Sequence, residues 1–203
     1  MLITITGVSG SGKSSLKKRL LKRLPQKAIN SQGISTRPPR ASEEPATADN
    51  VVLTLQQYEE RKRSRPTLWD IESGGYRYGG ETEVVDEGLS DDGKHRVMII
   101  VPEIVPVVFS HAYEKGREHI VLPFFIRTAP DALLQQRMLQ RGDAPKKIEE
   151  RIRLGANWER EAERSDIPYI FIPDNDLIEE KLEVILTHLA RAESMPGLSA
   201  AAS

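Results

Sequence analysis

The stretch that decides the fold is Gly7-Val8-Ser9-Gly10-Ser11-Gly12-Lys13-Ser14, which matches the pattern G-x-x-x-x-G-K-[ST]. A short apolar run at residues 2–6 precedes it, and a helical pattern at residues 13–24 follows. A strand, a glycine-rich turn and a helix in this order predict a loop whose backbone N–H groups surround a phosphate. An ordinary turn before an amphipathic helix is the alternative, but the pattern and its context together favour a nucleoside triphosphate site.

The chemistry of this loop assigns two side chains directly. Lys13 is expected to reach the terminal phosphates, and the hydroxyl of Ser14 is expected to ligate Mg²⁺. The helix that begins here adds a partial positive charge at the same point. The sequence therefore predicts triphosphate binding with Mg²⁺ as the cofactor.

Composition is that of an ordinary globular protein, and the length suits one α/β core with a small insertion. The chain has 203 residues, a net charge of −1 and no cysteine, which excludes disulfides and thiolate chemistry. No apolar run approaches the roughly 18 residues of a membrane span, and Met1 opens almost directly onto the first strand. We therefore expect a cytoplasmic monomer or homodimer that binds neither nucleic acid nor membrane.

Strands and helices are predicted to alternate along most of the chain. Strands are expected at residues 2–6, 96–101, 119–126 and 169–172, with a weaker one at 28–35, and helices at residues 13–24, 53–64, 103–114, 131–141, 146–164 and 176–191. This alternation predicts an α/β fold with a parallel, doubly wound sheet. Residues 35–95 break it with prolines and paired glycines, which predicts an inserted subdomain of short strands and one helix. The core is then residues 1–34 and 96–191, and residues 192–203 form a disordered tail.

Phosphoryl transfer holds two anionic substrates in line and neutralises their charge, so arginines beyond the loop are informative. Three segments supply basic or phosphate-binding groups: residues 35–40 (S-T-R-P-P-R), residues 74–79 (G-G-Y-R-Y-G) and residues 137–153. The first is a fork of two arginines stiffened by prolines, and the second offers tyrosine hydroxyls between glycines. The third reads as helix, break and helix, as a closing lid needs. Each segment also has an ordinary structural interpretation. The first could be a solvated basic loop, the second a common hairpin, and the third a surface helix with ion pairs.

Taken in order, these segments resemble guanylate kinase and its near relatives, from residue 1 to about residue 191. The matching stretches are residues 7–15, 35–40, 78–79, 137–142, 148–151 and 174–177. The resemblance implies a P-loop kinase core, an acceptor-binding subdomain at residues 35–95 and a short helical lid at about residues 138–156. It also implies transfer of a phosphoryl group from ATP to a nucleoside monophosphate, with GMP and ATP giving GDP and ADP and with Mg²⁺ as cofactor.

The resemblance gives each matching residue a role. The residues that would stabilise the transferred phosphoryl group are Lys13, Arg137, Arg141 and Arg151. Those that would bind ATP are Ser9, Gly10, Ser11, Gly12, Lys13, Ser14, Ser15 and Asp174, and Ser14 would also bind the metal. Those that would hold the acceptor phosphate are Ser35, Arg37, Arg40 and Tyr78.

Three departures from the family pattern fall on the acceptor side. A second phosphate-binding tyrosine is missing, because residues 49–52 read D-N-V-V. The glutamate that reads guanine is absent before Trp69, which leaves Asp70 or Glu72 as its substitute. The family's Asp-x-Asp reads V-P-E at residues 101–103, which leaves Glu103. The sequence therefore supports a kinase more strongly than it supports GMP as the acceptor.

Two alternatives remain open. A relative of guanylate kinase that phosphorylates ribose 1,5-bisphosphate lacks the guanine readers, as this chain does. Guanylate kinase-like domains without catalytic activity bind phosphopeptides, but they commonly lose the loop lysine or the lid arginines. Lys13, Arg137, Arg141 and Arg151 are all present here, so the enzyme is the leading interpretation.

Overall fold

Two sheets organise the part of the chain that the computed structural model describes, residues 1–39, 44–174 and 177–194. The strands are β1 (Leu2–Gly7), β2 (Ala28–Asn30), β3 (Gly33–Ser35), β4 (Asn50–Val52), β5 (Thr67–Ser73), β6 (Tyr76–Glu81), β7 (His95–Ile99), β8 (Val121–Ile126) and β9 (Ile170–Ile172). The α-helices are α1 (Lys13–Arg23), α2 (Leu55–Ser64), α3 (Thr82–Gly88), α4 (Val105–Glu114), α5 (Asp131–Gln140), α6 (Pro145–Arg164) and α7 (Ile178–Glu193). Within these ranges no helix is both long and apolar enough to cross a membrane.

The first sheet has five parallel strands in the order β2-β7-β1-β8-β9. Every residue of the central strand β1 is buried, with apolar residues of α1, α4 and α7 in the same core cluster. This confirms the predicted α/β fold with a parallel sheet. Strands β2 and β7 lie on one side of β1, and the later strands β8 and β9 lie on the other. The strand order therefore reverses at β1, and the loop after β1 lies at the carboxyl edge of the sheet, where such sheets bind ligands.

The second sheet has four strands in the order β4-β3-β6-β5 and comes from the region predicted to be inserted. The predicted strand at residues 28–35 is in fact two strands, because β2 joins the first sheet and β3 joins the second. Helix α3 was not predicted, since seven residues are too few for a clear helical period. The insertion therefore carries two α-helices, α2 and α3, and not one.

Helices α5 and α6 pack onto the phosphate-binding loop through a separate apolar cluster. Its buried members are Val8, Ala129, Leu134, Met138 and Ile148. Gly155 of α6 contacts Val8 so closely that an added Cβ would lie 2.3 Å from its Cγ1 atom. The segment predicted to be a lid is thus in direct contact with the loop. Predicted residues Arg40, Asn175 and Asp176, and the tail from residue 195, lie outside the described residues.

Gly80 is required by the side chain opposite it in the β5–β6 hairpin. The indole of Trp69 covers Gly80, and an added Cβ would lie 2.0 Å from its Cζ2 atom. We expect Gly80→Ala to lower the free energy of unfolding by about 1–3 kcal/mol, measured in urea, because the buried indole must move. In a protein that already carries Trp69→Leu, Gly80→Ala should lower the free energy of unfolding by less than it does in the unsubstituted protein. An equal loss in both backgrounds would contradict this explanation.

Candidate functional site

A single cavity of about 890 Å³ joins the loop after β1 to the second sheet and to helices α5 and α6. It is lined mostly by residues that are far apart in sequence. The predicted site residues on its wall are Ser9, Gly10, Ser11, Gly12, Lys13, Ser14, Ser15, Arg37, Tyr78, Arg137, Arg141 and Arg151. The fold therefore brings the predicted triphosphate loop, two predicted acceptor residues and the predicted lid arginines to one space.

The loop has the backbone that its glycines predict. Gly10 and Gly12 have φ values of 87° and 91°, in the left-handed region that favours glycine. Helix α1 begins directly after Gly12 without a side-chain cap. The Lys13 ammonium reaches back across the loop and donates to the carbonyl oxygens of Gly7 at 2.8 Å and Val8 at 2.7 Å. A cation and the start of a helix thus face the same part of the cavity.

A second lysine supports the loop from α7. Lys181 is 4% exposed, lines the cavity, and donates to the carbonyl oxygen of Ser11 at 3.5 Å. Its Nζ also lies 3.8 Å from Oδ1 of Asp174, the residue predicted to bind ATP. Asp174 therefore lies beside Lys181, which contacts the loop, and is not itself on the cavity wall. Sequence reasoning missed Lys181, since nothing local in the sequence marks a contact across 170 residues.

The three predicted lid arginines gather at the break between α5 and α6. Arg137 donates from Nη1 to the carbonyl oxygen of Gly10 at 3.1 Å, which joins α5 to the loop. Oδ2 of Asp143 accepts a hydrogen bond from Arg151 Nη1 at 2.7 Å and another from Arg141. One carboxylate thus holds two guanidinium groups at the cavity, an arrangement that suits a polyphosphate.

The predicted acceptor-phosphate segment is tied to β6. The backbone N–H of Thr36 donates to the carbonyl oxygen of Arg77 at 3.0 Å, and the N–H of Arg77 donates to Oγ1 of Thr36 at 2.9 Å. Ser35 is buried, and its Oγ accepts from the N–H of Arg37 at 3.0 Å. Ser35 therefore orients the backbone at Arg37, while Arg37 and Tyr78 line the cavity.

The carboxylates predicted to read a base lie elsewhere. Side chains alternate along β5, so Trp69, Ile71 and Ser73 line the cavity, while Asp70 and Glu72 belong to the opposite face. A one-residue slip moves a side chain to the other face of a strand. That alternation is why neither acidic residue lies on the cavity wall, although the prediction placed one of them at the acceptor.

Asp70 is part of an ion-pair cluster on that opposite face. It accepts hydrogen bonds from Tyr58 Oη at 2.9 Å, from Arg77 Nε at 3.2 Å and from Lys62. Burial alone would raise the pKa of Asp70, but the hydrogen bonds from Lys62, Arg77 and Tyr58 outweigh it and hold the pKa below its ordinary value. The Asp70 carboxylate is thus committed to this cluster.

Glu103, the third candidate, does not line the cavity itself, but it is bonded to a residue that does. Its Oε1 accepts a hydrogen bond from Trp158 Nε1 of α6 at 2.5 Å. Strands β5 and β7 and the segment after β7 contribute apolar side chains to the cavity wall: Trp69, Ile71, Met98, Ile99, Ile100, Val101 and Ile104.

One carboxylate that was not assigned a role from the sequence contacts the loop. Ser14 Oγ donates to Oδ2 of Asp49 at 3.2 Å, and Lys17 Nζ lies 2.7 Å from Oδ1. In the sequence, residues 49–52 differ from the family pattern by a missing tyrosine, and nothing there indicates that Asp49 contacts the loop. Across the described residues, no group of three or more histidine, cysteine, aspartate or glutamate side chains is placed to hold a metal ion. A metal in this cavity would therefore complete its coordination with ligand oxygens or water.

Comparisons with known proteins agree with this geometry. A family model described as an AAA domain matches residues 3–164. A curated guanylate kinase of Chlamydia abortus (strain DSM 27085 / S26/3) is 26% identical over 184 residues, which cover 91% of this chain and 84% of the relative. The crystal structure of guanylate kinase from Anaplasma phagocytophilum has a TM-score of 0.64 at 19% identity, covering 98% of this chain and 87% of that chain. The solved structure confirms the fold, and the curated relative agrees with the resemblance found in the sequence.

Proposed function

The chain belongs to the AAA domain family, and from this premise we propose that it is a kinase that transfers the γ-phosphoryl group of ATP to a phosphorylated small molecule. One observation carries the proposal: the phosphate-binding loop and the pair Arg37 and Tyr78 line the same cavity. Two phosphate-binding ends in one cavity are what an in-line transfer between two anionic substrates needs. In this proposal residues 1–34 and 96–191 form the core, residues 35–95 bind the acceptor, and residues 138–156 form the lid.

Positioning and charge stabilisation account for the proposed catalysis. Lys13, Arg137, Arg141 and Arg151 would stabilise the charge on the transferred phosphoryl group. Arg37 and Tyr78 would hold the acceptor phosphate in line with it. An acceptor phosphate is already ionised at neutral pH, so the reaction needs no general base. This agrees with a cavity whose catalytic candidates are cations.

The donor atoms at the loop suit Mg²⁺. The Ser14 hydroxyl lies beside Lys13 on the cavity wall, and it is 3.2 Å from a carboxylate oxygen of Asp49. Hydroxyl and carboxylate oxygens are hard donors of the kind that Mg²⁺ prefers, and Mg²⁺ usually takes its other ligands from phosphates and water. Ser14 would hold the ion, which when bound neutralises charge on the β- and γ-phosphates.

GMP is the acceptor that we propose first, because the curated relative is a guanylate kinase. Ribose 1,5-bisphosphate is the second candidate, and a specific observation favours it. Asp70 and Glu103 each accept hydrogen bonds from other side chains, and neither lines the cavity. A carboxylate that accepts two hydrogen bonds from guanine contributes orders of magnitude to selectivity, and the predicted readers are not placed on the wall to do so, which weakens the case for GMP.

A panel of acceptors tests the proposal. ADP release from Mg·ATP would be measured with GMP, dGMP, AMP, UMP, CMP and ribose 1,5-bisphosphate. We expect the highest kcat/KM with GMP. Turnover of ribose 1,5-bisphosphate without turnover of GMP would replace the first acceptor by the second. ATP binding without turnover of any acceptor would instead favour a non-catalytic binding module.

A further inference from the structure

Asp49 contacts the phosphate-binding loop from an unexpected part of the chain. It precedes β4 of the second sheet, 35 residues after Ser14, yet it lines the cavity beside the loop. Its two carboxylate oxygens have different neighbours: Oδ1 pairs with Lys17 at 2.7 Å, and Oδ2 accepts from Ser14 Oγ at 3.2 Å. One side of the carboxylate is thus fixed by a buried cation, and the other side meets the residue expected to bind Mg²⁺.

The backbone around Asp49 is held firmly in this position. The N–H of Gly33 donates to the carbonyl oxygen of Asp49 at 3.2 Å, next to the β3–β4 pairing of Gly33 with Asn50. The preceding carbonyl oxygen, that of Ala48, accepts from Lys17 Nζ at 3.2 Å and from Asn30 Nδ2 at 2.9 Å. The approach of Asp49 to the loop is therefore built into the packing of the second sheet on α1.

The usual source of a second metal ligand is missing from the core strands. Loops of this kind hold Mg²⁺ with their own serine or threonine and with an aspartate that follows a core strand. Here β7 is followed by Ile100, Val101 and Pro102, and β8 by Arg127 and Thr128. The next carboxylate after β7 accepts a hydrogen bond from the Trp158 indole. Neither strand beside β1 supplies a carboxylate directly at its end.

The contact between Asp49 and Ser14 supplies the same two groups, a loop hydroxyl and a carboxylate, that such loops use to hold Mg²⁺. A serine that donates its hydrogen to a carboxylate keeps the lone pairs of its oxygen for a metal ion. We propose that Asp49, together with Ser14, holds the Mg²⁺ of the bound Mg·ATP, in place of an aspartate at the end of a core strand. The inference rests on the proposed function for the presence of a metal nucleotide, and adds that a residue of the second sheet completes its site.

The test measures nucleotide binding without any acceptor, so it does not depend on turnover. A fluorescent ATP analogue is titrated onto the full chain in EDTA and then at increasing Mg²⁺. With Asp49→Asn we expect the Mg²⁺ concentration that gives half of the metal-dependent tightening to rise about tenfold or more. Binding in EDTA should be unchanged or tighter, because a negative charge next to the triphosphate is removed.

Glu44→Gln is the matched control. Glu44 lines the same cavity, but its carboxylate contacts Lys18 at 3.0 Å and not Ser14. Its replacement should leave the Mg²⁺ midpoint within about twofold of that of the unsubstituted protein. If the loss of any negative charge at the cavity were enough to raise the midpoint, Glu44→Gln would raise it as well. Equal weakening of binding by Asp49→Asn in EDTA and in Mg²⁺ would mean that Asp49 only holds Lys17, and would overturn the inference.

A crystal structure of the unsubstituted protein with Mg²⁺ and a non-hydrolysable ATP analogue tests the same point even if Asp49→Asn does not fold. We expect a carboxylate oxygen of Asp49 about 2.1 Å from the ion, or hydrogen-bonded to a water that the ion binds. An ion with neither contact would overturn the inference. In that case the proposed phosphoryl transfer would still stand, because the acceptor panel tests it separately.

Discussion

Replacing Lys13 by alanine is expected to lower kcat/KM for phosphoryl transfer by about 10²–10³-fold, because one preorganised cation is removed from the developing charge. Its ammonium donates hydrogen bonds to the carbonyl oxygens of Gly7 and Val8, in the loop itself. Lys13 is partly exposed on the cavity wall, so water can take the place of its ammonium with little loss of stability. The melting temperature should therefore change little.

Lys22→Ala is the matched control for this variant. Lys22 is in the last turn of the same helix, α1, and is exposed. Both variants would be compared in the ADP-release assay and in thermal unfolding. Activity that survives Lys13→Ala, or that falls equally with Lys22→Ala, would contradict the assignment of the loop as the triphosphate site.

Replacing Arg151 by alanine is expected to lower kcat by about 10³-fold, as removal of a transition-state arginine does in phosphoryl transfer. Arg151 reaches the cavity through its bond to Asp143, which also holds Arg141. Its loss removes one cation and leaves Arg141 less well oriented. The KM for the acceptor should change much less than kcat, because the acceptor phosphate is assigned to Arg37 and Tyr78.

Arg153→Ala controls for charge on the same helix. Arg153 is two residues away in α6 and is exposed. Its replacement should leave kcat within about twofold, since exposed pairs and single surface charges contribute little. If Arg151→Ala and Arg153→Ala behave alike in the ADP-release assay, α6 is a charged surface helix and not a lid.

Local sequence patterns were sufficient to predict the triphosphate end of the site. Residues 2–14 form strand, loop and the start of a helix within one continuous segment, so the loop's own conformation is set by residues that are close in sequence. The break between α5 and α6 could also be predicted from the sequence, because Gly142 follows the end of α5 and Pro145 begins α6. Lys13, Arg137, Arg141 and Arg151 accordingly line the cavity as predicted.

The acceptor end could not be predicted in the same way. Which face Asp70 takes depends on the register of β5 against β6, and a motif with one position shifted does not reveal it. Asp49 and Lys181 reach the loop only because the second sheet and α7 pack against α1 and the loop. Contacts of this kind join residues 35 and 170 positions apart, which a single sequence does not pair.

The most direct test of the proposed kinase is a single-turnover reaction with ATP labelled with ³²P in its γ-phosphate, Mg²⁺ and excess protein. We predict that the label moves to GMP and appears in GDP, and that Lys13→Ala slows the transfer about 10²–10³-fold while the fold is retained. Label that stays on ATP with every phosphorylated acceptor of the panel, although ATP binds, would contradict the proposed kinase.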